Sequence, residues 1–409
     1  MLRFRRLAFA LFGMTAAAGC STLFPGNNKG TSDQPVPLTG CPSSPSQPYA
    51  PGGYYVNGNT VCAASSGRSH IFHGVDRPSF EWSQTGVDIS AADFQLMGTW
   101  KANLVRIALN QDFWLSASMY YSPNYATEID NAIAWAEEAG MDVMLDLHWS
   151  DKGVLGSCDP TGNCQQLMAD TNSITFWSEV AARYMNDGRV LFELYNEPHD
   201  VAWGIWKSGG MAGGFQVAGM QQLYQAVRAT GANNLVVIGG LDFAYDLSGV
   251  PSNRIEGYNI LYATHPYNNS GEKKPGSWDN YWGNLTNTDP VLVTEFGDSG
   301  TCDATYTSEL IAYADQHHTG WTAWAWFPGG CGFPSIINDW QGTPSMTGDV
   351  VKAALLGYGE PSVDGRRDAG AAPIDAAAPA DGATPADGGS APDDAGAKPD
   401  AAADAATGQ

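Results

Sequence analysis

The chain has 409 residues and a formal net charge of −23, from 20 Lys and Arg against 43 Asp and Glu. The tail from Pro361 onward supplies only −6 of this, nine Asp against Arg366, Arg367 and Lys398, so the body is acidic too. That balance argues against nucleic acid or an anionic surface as partner and suits a neutral or cationic ligand.

At the start, Arg3, Arg5 and Arg6 precede an apolar stretch, residues 7–18, that closes on Ala17-Ala18-Gly19-Cys20-Ser21. This pattern is expected of a secretory signal and is too short to span a membrane stably. It resembles a bacterial lipoprotein signal, with Ala17 where Leu is usual. The resemblance implies a lipid anchor at Cys20 and an exported protein at the outer membrane or cell surface. Ordinary cleavage after Ala18 or Gly19, giving a secreted protein, is the alternative.

Residues 21–48 carry Pro25, Pro35, Pro37, Pro42, Pro45 and Pro48 and read as a spacer. One domain follows over 49–360, long for a single core unless the fold is a large α/β barrel. Residues 361–409 are Ala, Asp, Pro and Gly with almost nothing to bury, so the tail is expected to stay disordered.

Within the body, Asn57-Gly58 marks a hairpin, expected to lie across a barrel floor. Short apolar strands then alternate with amphipathic helices. The strands are expected at 71–76, 103–109, 142–148, 190–195, 235–241, 260–265, 291–296 and 321–327. The helices are expected at 91–101, 125–139, 174–186, 219–230 and 304–317. Eight strands with helical crossovers predict an α/β fold, a (β/α)₈ TIM barrel. No internal repeat is visible.

Six cysteines remain besides Cys20. In an exported chain they favour three disulfides, with Cys41–Cys62, Cys158–Cys164 and Cys302–Cys331 as the chosen pairing among fifteen. No second Cys or His pair accompanies Cys158 and Cys164, so a metal site there is disfavoured.

In such a barrel the functional side chains sit where strands end. Reading those ends gives Arg106, His148, Asn196, Glu197, His265, Tyr267, Glu295 and Trp324. Glu197 and Glu295 close the fourth and seventh strands and can face each other across the mouth. Glycoside cleavage needs that arrangement, one carboxyl protonating the leaving oxygen while the other attacks. Arg106 and Tyr267 are candidates to keep Glu295 ionised, and His148 or His265 to support Glu197.

Asn196-Glu197-Pro198, His265-Pro266-Tyr267 and Thr294-Glu295-Phe296-Gly297, in that order after those strands, resemble glycoside hydrolase family 5 over residues 54–356. The resemblance implies Glu197 as acid/base and Glu295 as nucleophile. It also implies Asn196 on the sugar 2-hydroxyl, Arg106, His148, His265 and Tyr267 as supporting residues, and Trp324 as the platform under the cleaved sugar. Trp326, two residues on, competes for that last role.

Glu193 reads as the partner of Arg106 in a buried ion pair. His70, His73, His199, His317 and His318 share no metal-ligand spacing, and neither a metal nor another cofactor is expected. Trp82, Trp114, Trp149, Trp203 and Trp206 fall in loops and are candidate sugar-binding walls or ordinary packing. The glycine-rich run 209–214 reads as a mobile loop.

The expected activity is a retaining endo-β-1,4-glucanase acting as a monomer on a polysaccharide, with no nucleic-acid partner. A β-mannanase, xylanase or β-1,3-glucanase shares the same machinery. A non-catalytic carbohydrate-binding protein would not require two opposed carboxyls.

Overall fold

The computed structural model describes residues 35–158, 164–268, 273, 275–298, 300–301 and 303–358. The signal, the first part of the spacer, the tail and Cys302 of the third expected disulfide lie outside the described residues.

The chain first forms a small antiparallel sheet of β1 (Tyr54–Asn57), β2 (Thr60–Ala63) and β3 (Arg68–Ser69). Asn57 pairs with Thr60, so Gly58 and Asn59 make the turn, one residue later than expected, and Gly58 takes φ +58°. Residues 35–48 are tied to this sheet. Proline removes donors but leaves carbonyls free to accept. Tyr55 donates to the Pro42 carbonyl at 2.9 Å, Asn259 to that of Pro48 at 2.9 Å, and Cys41 is disulfide-bonded to Cys62.

Eight parallel strands then close a barrel. In chain order they are β4 (His73–Arg77), β5 (Leu104–Asn110), β6 (Asp142–Trp149), β7 (Val190–Glu193), β10 (Val236–Gly239), β11 (Ile260–Thr264), β12 (Val291–Val293) and β13 (Gly320–Ala323). Between β7 and β10 lies a hairpin, β8 (Gly210–Ala212) with β9 (Phe215–Val217). The run expected as a mobile loop is therefore a paired ribbon, its turn supplied by Gly213 and Gly214 at positive φ. In β4, a Cβ on Gly74 would stand 1.7 Å from the Leu104 carbonyl oxygen, so only glycine lets those strands close.

All eight expected strands are present, but the ladders of β7, β10, β12 and β13 stop two to four residues early. Leu194 and Tyr195 remain buried beyond the last ladder pair, and backbone bonds continue past it, Leu194 donating to the Val237 carbonyl and Asn196 to the Leu147 carbonyl, each at 3.0 Å. That short extension beyond the ladder carries the site.

Helices cover the barrel: α1 (Ala91–Thr99), α2 (Gln111–Trp114), α3 (Tyr125–Glu138), α4 (Thr171–Tyr184), α5 (Trp203–Ser208), α6 (Met220–Ala229), α7 (Val250–Asn253), α8 (Trp278–Tyr281), α9 (Ala304–Gln316) and α10 (Met346–Gly357). In α3, Ile129, Ala132, Ile133 and Ala136 are buried, the stripe their spacing predicts. Helix α4 starts three residues before the expected Ile174 because Asp170 caps it, accepting from the Asn172 and Ser173 amides.

Two apolar layers result. One fills the space between barrel and helices. The other plugs the floor, where Leu104, Met144, Leu191, Val237, Leu261 and Leu292 meet Tyr54, Val61 and Phe72. The floor is thus closed by the first sheet, and the opposite mouth is left for chemistry.

Candidate active site

Arg106 stands at the centre. Its position within β5 places the guanidinium inside the barrel, fully buried, rather than at the strand's end. It bonds Glu295 Oε1 at 2.6 Å, Asp146 Oδ2 at 2.9 Å, Asp76 Oδ1 at 3.2 Å and, through Nε, Glu193. Its remaining reach holds the Asn196 side-chain oxygen at 2.7 Å.

One cation cannot neutralise four carboxylates in a dry interior. Burial pushes Asp76 well above the usual carboxylate range against the pull of Arg106, and raises Glu193 likewise. Asp146 is pushed up to about 7 by burial. Asp76 and Asp146 each keep one buried oxygen with no hydrogen-bond partner, as a neutral acid tolerates better than an anion. Burial opposes the charge on Arg106, but Asp146, Glu193, Glu295 and Asp76 together hold its pKa well above normal. The expected Arg106–Glu193 ion pair is present, and it is one arm of this cluster.

Glu295 follows β12 and is 4% exposed. Besides Arg106, it accepts a hydrogen bond of 2.8 Å from the Tyr267 hydroxyl. Burial first, and then the charge of Glu295, lift the Tyr267 hydroxyl well above its ordinary pKa, so it remains a donor. Both expected supports of Glu295 are therefore in place.

Glu197 sits in a different environment. His265 Nδ1 lies 3.0 Å from its Oε1, and the Gln165 amide donates to its Oε2. On the far side of the ring, His265 Nε2 lies 2.8 Å from Thr294 Oγ1, while the Thr294 hydroxyl donates to Glu193 at 2.7 Å. A hydroxyl has one proton, so Thr294 accepts from the Nε2–H of His265. Burial lowers the His265 pKa to about 4, leaving the ring neutral near pH 7. Its Nδ1 then offers Glu197 a lone pair, the arrangement that the proton of a carboxylic acid fills.

His148 belongs to a second chain of contacts. Asp146 Oδ2 lies 2.7 Å from its Nδ1, which fixes the tautomer, and its Nε2 lies 3.3 Å from the Asn196 amide nitrogen. Burial lowers the His148 pKa to about 4. The Trp324 ring stacks against it at 5.5 Å and 12°. All eight site residues read from strand ends thus converge on one mouth.

The two tryptophans of the last strand separate here. Trp326 is wholly buried, its indole donating to Asp93 at 2.8 Å, so it does not share the direction of Trp324. The Trp324–Ala325 peptide is cis. Of the candidate walls, Trp206 is also buried, donating to the Gly239 carbonyl. Trp114 packs on Phe176 and bonds Glu179, and Trp203 packs on Trp206. These three belong to helices α2 and α5, which stow their rings against the barrel. Trp82 and Trp149, 6.5 Å apart, remain half-buried beside Phe327 and Phe333.

Sequence reasoning missed Asp146, Thr294 and Gln165. Asp146 shares the inward face of β6 with His148 at a spacing of two, a signal that was available. Gln165 lies on no strand, and nothing in its local sequence marks it.

Glu197, His265 and Glu295 each bring one atom to within 4.8 Å of the others, the one such group among the described residues. Every member is already engaged by a protein donor or acceptor, so the set reads as a carboxyl pair bridged by an imidazole rather than an open cation cage. Two carboxyls this close, one held by a guanidinium and the other by a neutral imidazole, have the geometry of glycoside cleavage.

Residues 60–330 match the family model for cellulase, glycosyl hydrolase family 5. The chain belongs to this family. The family 5 chain is 25% identical over 268 residues to Endoglucanase E-5 of Thermobifida fusca, covering 61% of this chain and 51% of the relative. It is 27% identical over 235 residues to Endoglucanase CelA of Streptomyces lividans, covering 54% and 44%. The chain therefore spans about half the length of the relatives it matches. Among solved structures, the β-glucanase of Saccharophagus degradans in complex with cellotetraose superposes with a TM-score of 0.60 at 25% identity, covering 77% of this chain and 98% of that one. The catalytic domain of a Thermobifida fusca endoglucanase gives 0.58 at 19% identity, covering 75% and 97%.

Proposed function

We propose that this family 5 protein is a retaining endo-β-1,4-glucanase. The observation that carries the reading is the separation of the two carboxyls. One oxygen of each carboxyl lies within 4.8 Å of the other, too close for an intervening water. Retaining enzymes hold their carboxyls about 5 Å apart, and inverting ones several ångströms further.

Glu295, held by Arg106 and Tyr267, attacks the anomeric carbon. The bond from that carbon to the leaving oxygen breaks as Glu197 gives the oxygen its proton. Glu197, now a carboxylate, takes a proton from water, whose oxygen attacks the same carbon and releases Glu295. Asn196, turned by Arg106 and His148, presents its amide to the sugar 2-hydroxyl, and Trp324 forms the platform beneath the ring.

The β-1,4-glucan assignment is supported by the endoglucanase names of the relatives and by the cellotetraose bound to a structural neighbour. Digesting carboxymethylcellulose, barley β-glucan, glucomannan, xylan and laminarin and identifying the products tests it. Preference for mannan, xylan or β-1,3-glucan would keep the mechanism and change the substrate. We also propose export, with Cys20 as the lipidated residue, tested by mass analysis of the mature N-terminus. Loss of both carboxyl functions separates enzyme from binding protein: neither Glu197→Ala nor Glu295→Ala should turn over β-glucan at a near-native rate.

A further inference from the structure

The segment running from Cys164 to Met168 is laid over the acid/base from both sides. The Tyr195 hydroxyl donates to the Gln166 carbonyl at 2.6 Å and accepts from the Gln166 amide at 3.0 Å. Beyond Glu197, the His199 amide donates to the Leu167 carbonyl at 3.0 Å. Between these two anchors, the Gln165 side chain reaches down to Glu197 Oε2. Immediately before it, Cys164 is disulfide-bonded to Cys158, and both cysteines are buried. The strap is therefore fixed to Tyr195 and His199, two residues to either side of Glu197, and clipped at its own start.

From this geometry we infer that Gln165 is a positioning residue for the acid/base, held in place by the Cys158–Cys164 clip, and that it selects which oxygen of Glu197 carries the proton. The inference rests on Glu197 being the acid/base. An amide N–H facing Oε2 meets an acceptor, so the proton resides on Oε1. Oε1 is the oxygen beside His265 Nδ1, and that nitrogen is also 3.7 Å from Glu295 Oε2. The proton is thereby kept on the side of Glu295, across which the proposed mechanism places the sugar. Without Gln165 the carboxyl is free to rotate and to present its proton away from that side.

The groups that face Glu197 are His265 and Tyr267 after β11, Glu295 after β12, and Asp146 and His148 on β6. None of them touches Oε2, so Gln165 acts where they do not.

The test is Gln165→Ala in the full chain, assayed as kcat/KM against pH on two aryl β-cellobiosides. One has a poor leaving group that needs the proton, the other a dinitrophenolate that does not. The expected result is a loss of about tenfold or more on the poor leaving group and little change on the good one. The double variant Cys158→Ser with Cys164→Ser should show the same leaving-group dependence in milder form. Equal losses on both substrates, or no loss on either, would overturn the inference. If Glu197→Ala itself kept turnover on the poor leaving group, the acid/base assignment would fail first, a separate outcome.

Discussion

The guanidinium of Arg106 lies 2.6 Å from Glu295 Oε1 while the same group bonds Asp76, Asp146 and Glu193. The positive charge is shared unequally because burial favours the neutral form of the other three. Arg106→Lys replaces a planar fork by a point charge that cannot serve Glu295 and Asn196 together. Its kcat should fall on the order of a hundredfold or more, with binding of cello-oligosaccharides much less affected. Steady-state kinetics with calorimetric binding checks this.

Trp324 and Trp326, two residues apart, should fail in different ways. Trp324→Ala removes an aromatic face from the mouth and should lower kcat/KM by roughly tenfold to a hundredfold with little change in Tm. Trp326→Ala empties a buried site against Trp100 and orphans a bond to Asp93. It should cost about 3–5 kcal/mol of stability. Kinetics and thermal melting on the pair decide the matter.

His73 gives a pH signature distant from the chemistry. Its ring stacks on Tyr358 at 3.8 Å, and burial first, then His70, lower its pKa from 6.5 to about 3. The unfolded chain takes up a proton below about pH 6.5 that the folded one refuses, so stability is full above that pH and is lost on acidification. At pH 5 this amounts to about 2 kcal/mol relative to pH 8. His73→Phe should remove that share of the acid loss, measured by urea unfolding at both pH values.

The Cys41–Cys62 disulfide closes a separation of 21 residues and ties the proline-rich approach to the barrel floor. Replacing both cysteines by serine should cost about 2–4 kcal/mol in denaturant unfolding while leaving kcat unchanged, since the floor lies opposite the mouth.

The barrel was legible because each strand is a short apolar run and the five expected helices carry stripes such as Ile129, Ala132, Ile133 and Ala136. The site was legible for a related reason: Asn196, Glu197 and Glu295 follow apolar runs directly, so a rule about strand ends finds them. Trp206 and Trp114 were expected in loops, and left open between wall and packing, because helices of six and four residues leave too little periodicity to show which way a ring turns. Gln165 was invisible because its reach to Glu197 depends on a disulfide, on Tyr195 and on His199, all contacts made only in three dimensions.

The most direct test of the roles of Glu197 and Glu295 is azide rescue of their alanine variants on an activated β-cellobioside, with the product anomer read by NMR. Glu197→Ala should yield the β-glycosyl azide, since azide displaces Glu295 from the covalent intermediate. Glu295→Ala should yield the α-azide by direct displacement. The reverse pattern, or near-native hydrolysis of β-glucan by either variant, would contradict the account.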